Sequence, residues 1–153
     1  MNRQLSSFLI VSLLLLSACE PTQEREVTES WSPSQAKVVG YFVESDEGRW
    51  KTKEEKYYVD GTQEYFGSFD KAGNRDGDWK YFYPTGQLWS LGSYKNGLKH
   101  GKKEVYWPDG MKRYEGQYAD DEKSGSWIFY NKDGSILQKK DFSTKENPST
   151  SNP

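Results

Sequence analysis

DGDWKYFYPTG, the stretch from Asp76 to Gly86, occurs three times along the chain in slightly different forms. The second copy is HGKKEVYWPDG (His100–Gly110) and the third is SGSWIFYNKDG (Ser124–Gly134). Two series of glycines therefore recur every 24 residues: Gly77, Gly101 and Gly125, and Gly86, Gly110 and Gly134. A fixed period of this length is typical of proteins built from one repeated supersecondary unit.

One residue is inserted early in the array. Phe69 precedes Tyr94 by 25 residues, whereas Gly77 precedes Gly101 by 24. The extra residue therefore lies between Phe69 and Gly77, and insertions are tolerated best in loops. We predict a loop in that segment.

Each unit contains two short runs rich in aromatic and β-branched residues, which indicate strands. The first run, Trp79–Tyr83, is followed by Pro84-Thr85-Gly86, and the other copies end in Pro108–Gly110 and Lys132–Gly134. A turn closed by a glycine in the left-handed region is a common hairpin loop. Apolar residues after Cys19 show no helical period. The expected fold is therefore all-β: an elongated single-layer antiparallel sheet of stacked β-hairpin repeats, with about eight to ten strands.

The core of this sheet is expected to consist mainly of rings. After Cys19 the chain has 23 aromatic residues but only 12 Val, Leu and Ile, and each buried ring covers about 150–250 Å². Two aromatic series recur with the repeat: Tyr57, Phe82, Tyr106 and Tyr130, and Phe69, Tyr94, Tyr118 and Phe142. We predict that both series are structural and stack along one face of the sheet.

The N-terminus has the pattern of an export signal. Arg3 precedes the apolar run Phe8–Leu16, which is too short to cross a bilayer as a helix. Leu16-Ser17-Ala18-Cys19 then resembles the lipobox of bacterial lipoproteins, and Cys19 is the only cysteine. The resemblance implies cleavage before Cys19, a lipid on its thiol, and a place in the bacterial envelope. Glu20 favours the outer membrane, facing the periplasm. An ordinary cleaved signal or a short membrane anchor remains the alternative.

Four segments follow from these patterns. Residues 1–18 are the predicted lipoprotein signal, 19–36 the lipidated cysteine with a flexible tether, 37–142 the repeat domain, and 143–153 a disordered tail. Within the repeat domain, 37–44 and 49–58 are interpreted as a divergent first hairpin. Without its signal the chain has 20 Lys+Arg against 23 Asp+Glu, so its charge gives no reason to expect nucleic acid as a partner.

The repeats from Tyr57 to Phe142 resemble bacterial MORN-variant repeats, which include YwqK-like antitoxins. The residues that carry this resemblance are Trp79–Gly86 and Gly92–Gly101. It implies an elongated hairpin sheet that serves as a scaffold or binding surface. Some members neutralise partner toxins, and eukaryotic relatives are linked to membrane phospholipids. This chain departs from the pattern at Lys103, where Trp79 and Trp127 stand in the flanking units, and in its Asp120-Asp121-Glu122 loop.

No residue pattern indicates catalysis. His100 is the only histidine, so the chain has too few ligands for a zinc site, and no cysteine–histidine pair is available once Cys19 carries lipid. The consecutive acids Asp120–Glu122 lack the alternate spacing of calcium loops. We therefore predict no catalytic residue, no metal and no cofactor.

Residues that differ between the units are the candidates for binding. Trp89 is matched by Arg113 and Leu137, and Trp107 by Tyr83 and Asn131. Trp89, Trp107 and Arg113 belong to the types enriched at binding hot spots, although local packing would also explain the rings. The leading hypothesis is a lipid-anchored protein-binding module of the envelope. Binding of cell-wall glycan through exposed aromatic residues and an immunity role against a toxin are the alternatives.

Overall fold

The protein is described by a computed structural model that covers residues 22–143. This part of the chain forms one open sheet in which every strand pairs antiparallel with the next, in the order β1 to β10. The strands are β1 (Gln23–Ser32), β2 (Gln35–Ser45), β3 (Gly48–Tyr57), β4 (Gln63–Phe69), β5 (Arg75–Phe82), β6 (Leu88–Lys95), β7 (Leu98–Tyr106), β8 (Lys112–Ala119), β9 (Glu122–Tyr130) and β10 (Ile136–Asp141). The all-β prediction and the stack of consecutive hairpins are confirmed. No helix in residues 22–143 is long and apolar enough to cross a membrane.

The repeated turns close as the sequence predicts. Between β5 and β6, Tyr83 donates its N–H to the Gln87 carbonyl at 2.9 Å, and Gly86 donates to the Tyr83 carbonyl at 2.8 Å. Gly86 has a φ of 81°, a conformation that glycine adopts without strain. Positive φ values are shared by both glycine series: Gly77, Gly101, Gly125, Gly86, Gly110 and Gly134. The predicted insertion lies in the connection of residues 70–74 between β4 and β5.

Strand β1 occupies most of the segment that was interpreted as a flexible tether. It pairs with β2 in a register that sets Val27 opposite Val39. Carboxylates that suggested a solvated chain are matched by basic residues of neighbouring strands, with Glu26 at 2.6 Å from Arg49 and Glu29 at 2.8 Å from Lys37. Pairing with the exposed edge of β2 also satisfies backbone groups. The tether interpretation is therefore wrong for residues 23–32, and the sheet begins before residue 37. Residues 1–21, including Cys19, and 144–153 lie outside the described part of the chain.

The two recurring aromatic series lie on opposite faces of the sheet, which corrects the prediction that they share one. In β5, alternation places Trp79 and Tyr81 on one side and Lys80 and Phe82 on the other. Phe82 follows Trp79 by three residues, an odd number, on the same strand, so the two side chains point to opposite faces. We call the side of Trp79, Tyr81 and Trp127 the aromatic face, and the other side, which carries Glu55, Glu104 and Glu115, the glutamate face.

Ring contacts and hydrogen bonds identify the side on which each series lies. Tyr94 and Tyr118 contact Trp79 and Trp127 on the aromatic face, with ring centroids 6.2 and 5.1 Å apart. Tyr106 instead lies on the glutamate face, where its hydroxyl donates to Glu104 at 3.0 Å. Further members of that face are Tyr57, Phe82 and Tyr130, which contact Glu55, Phe66 and Glu115.

Buried carboxylates on the glutamate face are fully engaged by neighbouring side chains. Glu104 is only 5% exposed, and Lys112 lies 2.7 Å from its Oε1 while Lys102 lies 3.0 Å from the same atom. Burial alone would raise the pKa of Glu104, but the hydrogen bonds from Lys112, Lys102 and Tyr106 outweigh it and hold that pKa below its ordinary value. Glu55 and Glu115 also have lowered pKa values for the same reason, through Lys and Tyr donors.

These lowered pKa values predict a loss of stability in acid. Carboxyl groups with a depressed pKa in the folded state stabilise the fold above their unfolded value of 4.5, and this contribution is lost as the pH falls through the folded value. The free energy of unfolding in urea should therefore drop as the pH is lowered from 5 toward about 3. Glu104→Gln should have a lower free energy of unfolding than the unmodified chain at pH 7, and that free energy should fall less on acidification. An unchanged pH profile in Glu104→Gln, measured beside the exposed control Glu44→Gln, would contradict this.

Candidate functional site

Two tryptophans lie flat on the aromatic face, each seated on a glycine of the neighbouring strand. Trp79 and Trp127 are each 1% exposed, and their indole nitrogens donate to the Ser68 and Gln117 carbonyls at 3.0 and 3.1 Å. A Cβ built on Gly67 would lie 2.1 Å from Trp79 Cδ2. The glycine thus leaves the space that the ring needs.

Next to the indoles runs a row of aromatic side chains that the central hairpins interrupt. Tyr65 pairs with Tyr81 across β4 and β5, with ring centroids 5.6 Å apart. Across β8 and β9, Tyr114 pairs with Phe129 at 5.8 Å. The register continues between these pairs through Ser90 and Val105, which face each other on β6 and β7. Lys103 likewise stands opposite Gly92, where the flanking units place an indole.

The missing rings leave a pocket of about 240 Å³ in the middle of the aromatic face, here called the central pocket. Ser90 and Val105 are each 5% exposed and lie at its base, between the rings of Tyr81 and Tyr114. Its lining comprises Tyr81, Trp89, Ser90, Tyr94, Lys103, Val105, Arg113 and Tyr114. The pocket is therefore built from rings and two cations, and no carboxylate lines it.

Both cations of the central pocket lack an acidic partner within residues 22–143. The ammonium group of Lys103 donates to the Ser90 hydroxyl. Burial, and secondarily the charge of Lys99, lowers the pKa of Lys103. The guanidinium carbon of Arg113 lies 4.5 Å from the centre of the Trp107 ring. Unlike Lys102 and Lys112, which lie within 3.0 Å of Glu104, these two cations contact no described carboxylate.

Two of the three predicted binding residues meet at this pocket because each occupies a β-bulge. Tyr81 pairs with Ser90 while Phe82 pairs with Leu88, so Trp89 is the extra residue of β6. Arg113 is the extra residue of β8 in the same way. A bulge re-aims a side chain relative to strict alternation, and Trp89 is turned to the aromatic face, where its ring lies 6.2 Å from that of Tyr81.

Trp107, the third predicted residue, lies in an adjoining pocket rather than in the central one. That pocket has a volume of about 340 Å³, and Arg113 and Tyr114 line both. The indole nitrogen of Trp107 is buried without a hydrogen-bond partner in the described structure. At the equivalent position, Tyr83 donates its hydroxyl to the Tyr106 carbonyl at 2.9 Å. Trp107 therefore holds an unused donor beside Arg113.

Lys103 is recognisable in the sequence as a departure from the repeat, whereas Ser90 and Val105 were not predicted as site residues. An alignment of the units shows both residues to be exceptional. Tyr65 and Tyr114 stand at the Ser90 position of the flanking units. Tyr81 and Phe129 stand in the same way at the Val105 position. A small residue at a position that is aromatic in the other units does not by itself predict a gap. The gap becomes evident only when the strand register pairs Ser90 with Val105.

The remaining candidates show no constellation for chemistry. His100 Nδ1 lies 3.1 Å from an oxygen of Asp120, and both side chains are exposed. No group of three or more His, Cys, Asp and Glu within residues 22–143 is arranged to hold a metal ion. Absence of an enzymatic activity and of a cofactor stays a prediction.

Residues 75–96 and 99–120 each match the family described as MORN repeat variant. Both segments lie in the part of the sheet that carries the central pocket. One solved structure, titled "Crystal structure of GtfA/B complex bound to UDP and GlcNAc", is similar with a TM-score of 0.42 and 16% identity. The similarity covers 80% of this chain and 24% of that one, so the chain spans about a quarter of its length. No curated protein sequence is significantly similar to the chain.

Proposed function

We propose that this chain, two segments of which match the MORN repeat variant, is a non-enzymatic binding module of the bacterial envelope. A lipid on Cys19 would hold it at the membrane, and its aromatic face would contact a protein partner. One observation carries the proposal. Trp89, Lys103 and Arg113, which differ from the residues at equivalent positions of other units, all line the central pocket.

Side chains that recur in the flanking units are used to pack the sheet. Trp79 and Trp127 are buried on glycines, and the carboxylates of the glutamate face are engaged by lysines and tyrosines. Trp89 and Lys103, by contrast, line a recess that no described residue fills. Trp89 is 45% exposed although it is among the largest apolar side chains. Exposed rings beside unpaired cations are typical of binding surfaces.

The anchor is supported by the sequence alone, through the lipobox-like Leu16–Cys19. Strand β1 begins at Gln23, four residues after Cys19. A lipid on Cys19 would therefore tie one edge of the sheet directly to the membrane surface.

Crosslinking in intact cells tests the binding surface. Full-length protein should capture one protein in stoichiometric amount, and Trp89→Ala/Trp107→Ala/Arg113→Ala should lose at least about 90% of it, since truncation of hot-spot residues costs 2 kcal/mol or more. Trp31→Ala is the matched control, because Trp31 is 46% exposed but lies on β1, away from the pocket. Capture that is undiminished in the triple variant would refute the aromatic face as the surface.

A Cys19→Ser variant, fractionated from the same cells, tests the anchor. Loss of the lipid should release the protein from the membrane fraction, because acyl chains supply the membrane affinity. Membrane association that survives the substitution would favour an uncleaved anchor instead.

Binding of cell-wall glycan is the second candidate. The exposed ring of Trp89 lies 6.2 and 6.0 Å from the rings of Tyr81 and Tyr83, and such clusters can stack on sugar rings. Sedimentation of the protein with purified cell wall, in the absence of a captured protein, would favour this candidate. The immunity role implied by the family resemblance would require the captured protein to be a toxin.

A further inference from the structure

We propose that the central pocket receives one aromatic side chain of the protein partner, together with a carboxylate directly beside it. A C-terminal aromatic residue or an aromatic residue next to Asp or Glu has this chemistry. The inference rests on the proposed protein-binding function and specifies what that site recognises.

The shape of the pocket favours a ring because rings occupy the same place in both flanking units. The register Tyr65–Tyr81–Ser90–Val105–Tyr114–Phe129 is a row of four rings with a gap of two small residues. A guest ring lying over Ser90 and Val105 would continue the row, with Tyr81 on one side and Tyr114 on the other. It would gain the offset or tilted ring contacts that stabilise the flanking pairs. The volume of about 240 Å³ suits one such side chain.

The charges of the pocket favour an anion on that ring-bearing group. Lys103 reaches the base through its bond to Ser90, and Arg113 lines the same pocket. Neither forms an ion pair within residues 22–143. A guest carboxylate would offset the unfavourable burial of the Lys103 charge and could accept two parallel hydrogen bonds from Arg113. Ring and carboxylate must lie close together, because the cations and the gap are parts of one small pocket.

The proposal is tested with small probes and the full chain. N-acetylphenylalanine carries the ring and the carboxylate, its amide carries only the ring, and glucuronic acid carries a carboxylate on a sugar. In nuclear magnetic resonance titrations, N-acetylphenylalanine should shift the Trp89 indole signal and bind at least about tenfold more tightly than the amide, a difference of 1.4 kcal/mol. Equal binding of acid and amide, or tighter binding of glucuronic acid, would overturn the proposal.

Two variants locate the binding. Val105→Phe introduces the residue found at Phe129 in the next unit, so it should fill the gap, leave the fold intact by circular dichroism and abolish binding of N-acetylphenylalanine. Should Val105→Phe not fold, Ser90→Tyr fills the gap from the other strand with the residue found at Tyr114. Lys103→Met keeps the ring site and Arg113, so it should reduce the preference for acid over amide without weakening binding of the amide. A folded gap-filling variant that still binds the probe would refute the location.

Partner capture separates this inference from the proposed function. If Val105→Phe captures the cellular partner as well as the unmodified chain does, the ring-and-carboxylate site is refuted while the binding module stands. If Trp89→Ala/Trp107→Ala/Arg113→Ala also captures the partner undiminished, both the ring-and-carboxylate site and the aromatic face as the binding surface are refuted. Loss of capture in Val105→Phe and in the triple variant would support both the proposed binding surface and the proposed ring-and-carboxylate site.

Discussion

Gly67→Ala should lower the free energy of unfolding by about 3 kcal/mol, because overpacking of a closely packed site has costs of this size, whereas Gly92→Ala should leave it nearly unchanged. Both glycines are buried at equivalent positions of successive hairpins, and neither has a positive φ. A Cβ on Gly67 would meet the Trp79 ring at 2.1 Å, but on Gly92 it would meet the flexible Lys103 chain at 3.5 Å. The difference in stability between the two variants therefore reports whether an indole ring packs on the glycine, as Trp79 does on Gly67.

Urea unfolding of the two variants checks this, with Gly116→Ala as a second test. A Cβ on Gly116 would lie 2.3 Å from Trp127, so this variant should resemble Gly67→Ala. Gly92→Ala could even be stabilised by up to about 1 kcal/mol, because alanine restricts the unfolded chain. Equal losses at Gly67 and Gly92 would show that the indoles are not packed as described.

Trp127→Ala should cost about 3–5 kcal/mol, the usual range for removing a buried large aromatic side chain. The indole lies 6.0 Å from the Tyr114 ring, 5.1 Å from Tyr118 and 6.2 Å from Phe142. It thereby joins β8 and β9 to the segment that follows β10. In a repeat sheet each unit contacts only its neighbours, so a defect near one end should open that end first. Hydrogen exchange should accelerate in β8–β10 while β3–β5 remain protected.

The matched control is Trp89→Ala, which removes the same side chain from an exposed position and should cost no more than about 1 kcal/mol. Uniform acceleration of exchange across all strands in Trp127→Ala would contradict the end-localised opening. A loss of similar size in both variants would contradict the assignment of Trp127 to packing and Trp89 to binding.

The sequence was sufficient for the hairpins because their signals are local and repeated. Each turn carries its own glycine, and the 24-residue spacing repeats the strand pattern around it. Strand β1 has no such signal, since QEREVTESWS is polar and outside the period. Its partners, Lys37 on β2 and Arg49 on β3, become visible only when the sheet is assembled.

The candidate site was predicted in part for the same reason. Comparison of the units identified Trp89 and Arg113 as exceptional, and the structure places both on the central pocket. The Phe82 and Tyr94 series were predicted to share one face, but the alternation of side chains along each strand places them on opposite faces. Ser90 and Val105 attracted no notice because small residues suggest nothing until the gap between their neighbours is known.

Because β1 pairs with the repeat sheet, the number of strands fixes the distance between β1 and the central pocket. Successive strands are about 4.8 Å apart, and the central pocket is shared by β5 to β8. Along the sheet, the step from β1 to β6 is therefore about 24 Å, and the rigid hydrogen-bonded ladder preserves it where a flexible chain would not. Each additional hairpin between β1 and the pocket would extend this distance by about 10 Å. Under the proposed lipid anchoring at Cys19, the number of repeats would set the distance between the membrane and the proposed binding surface.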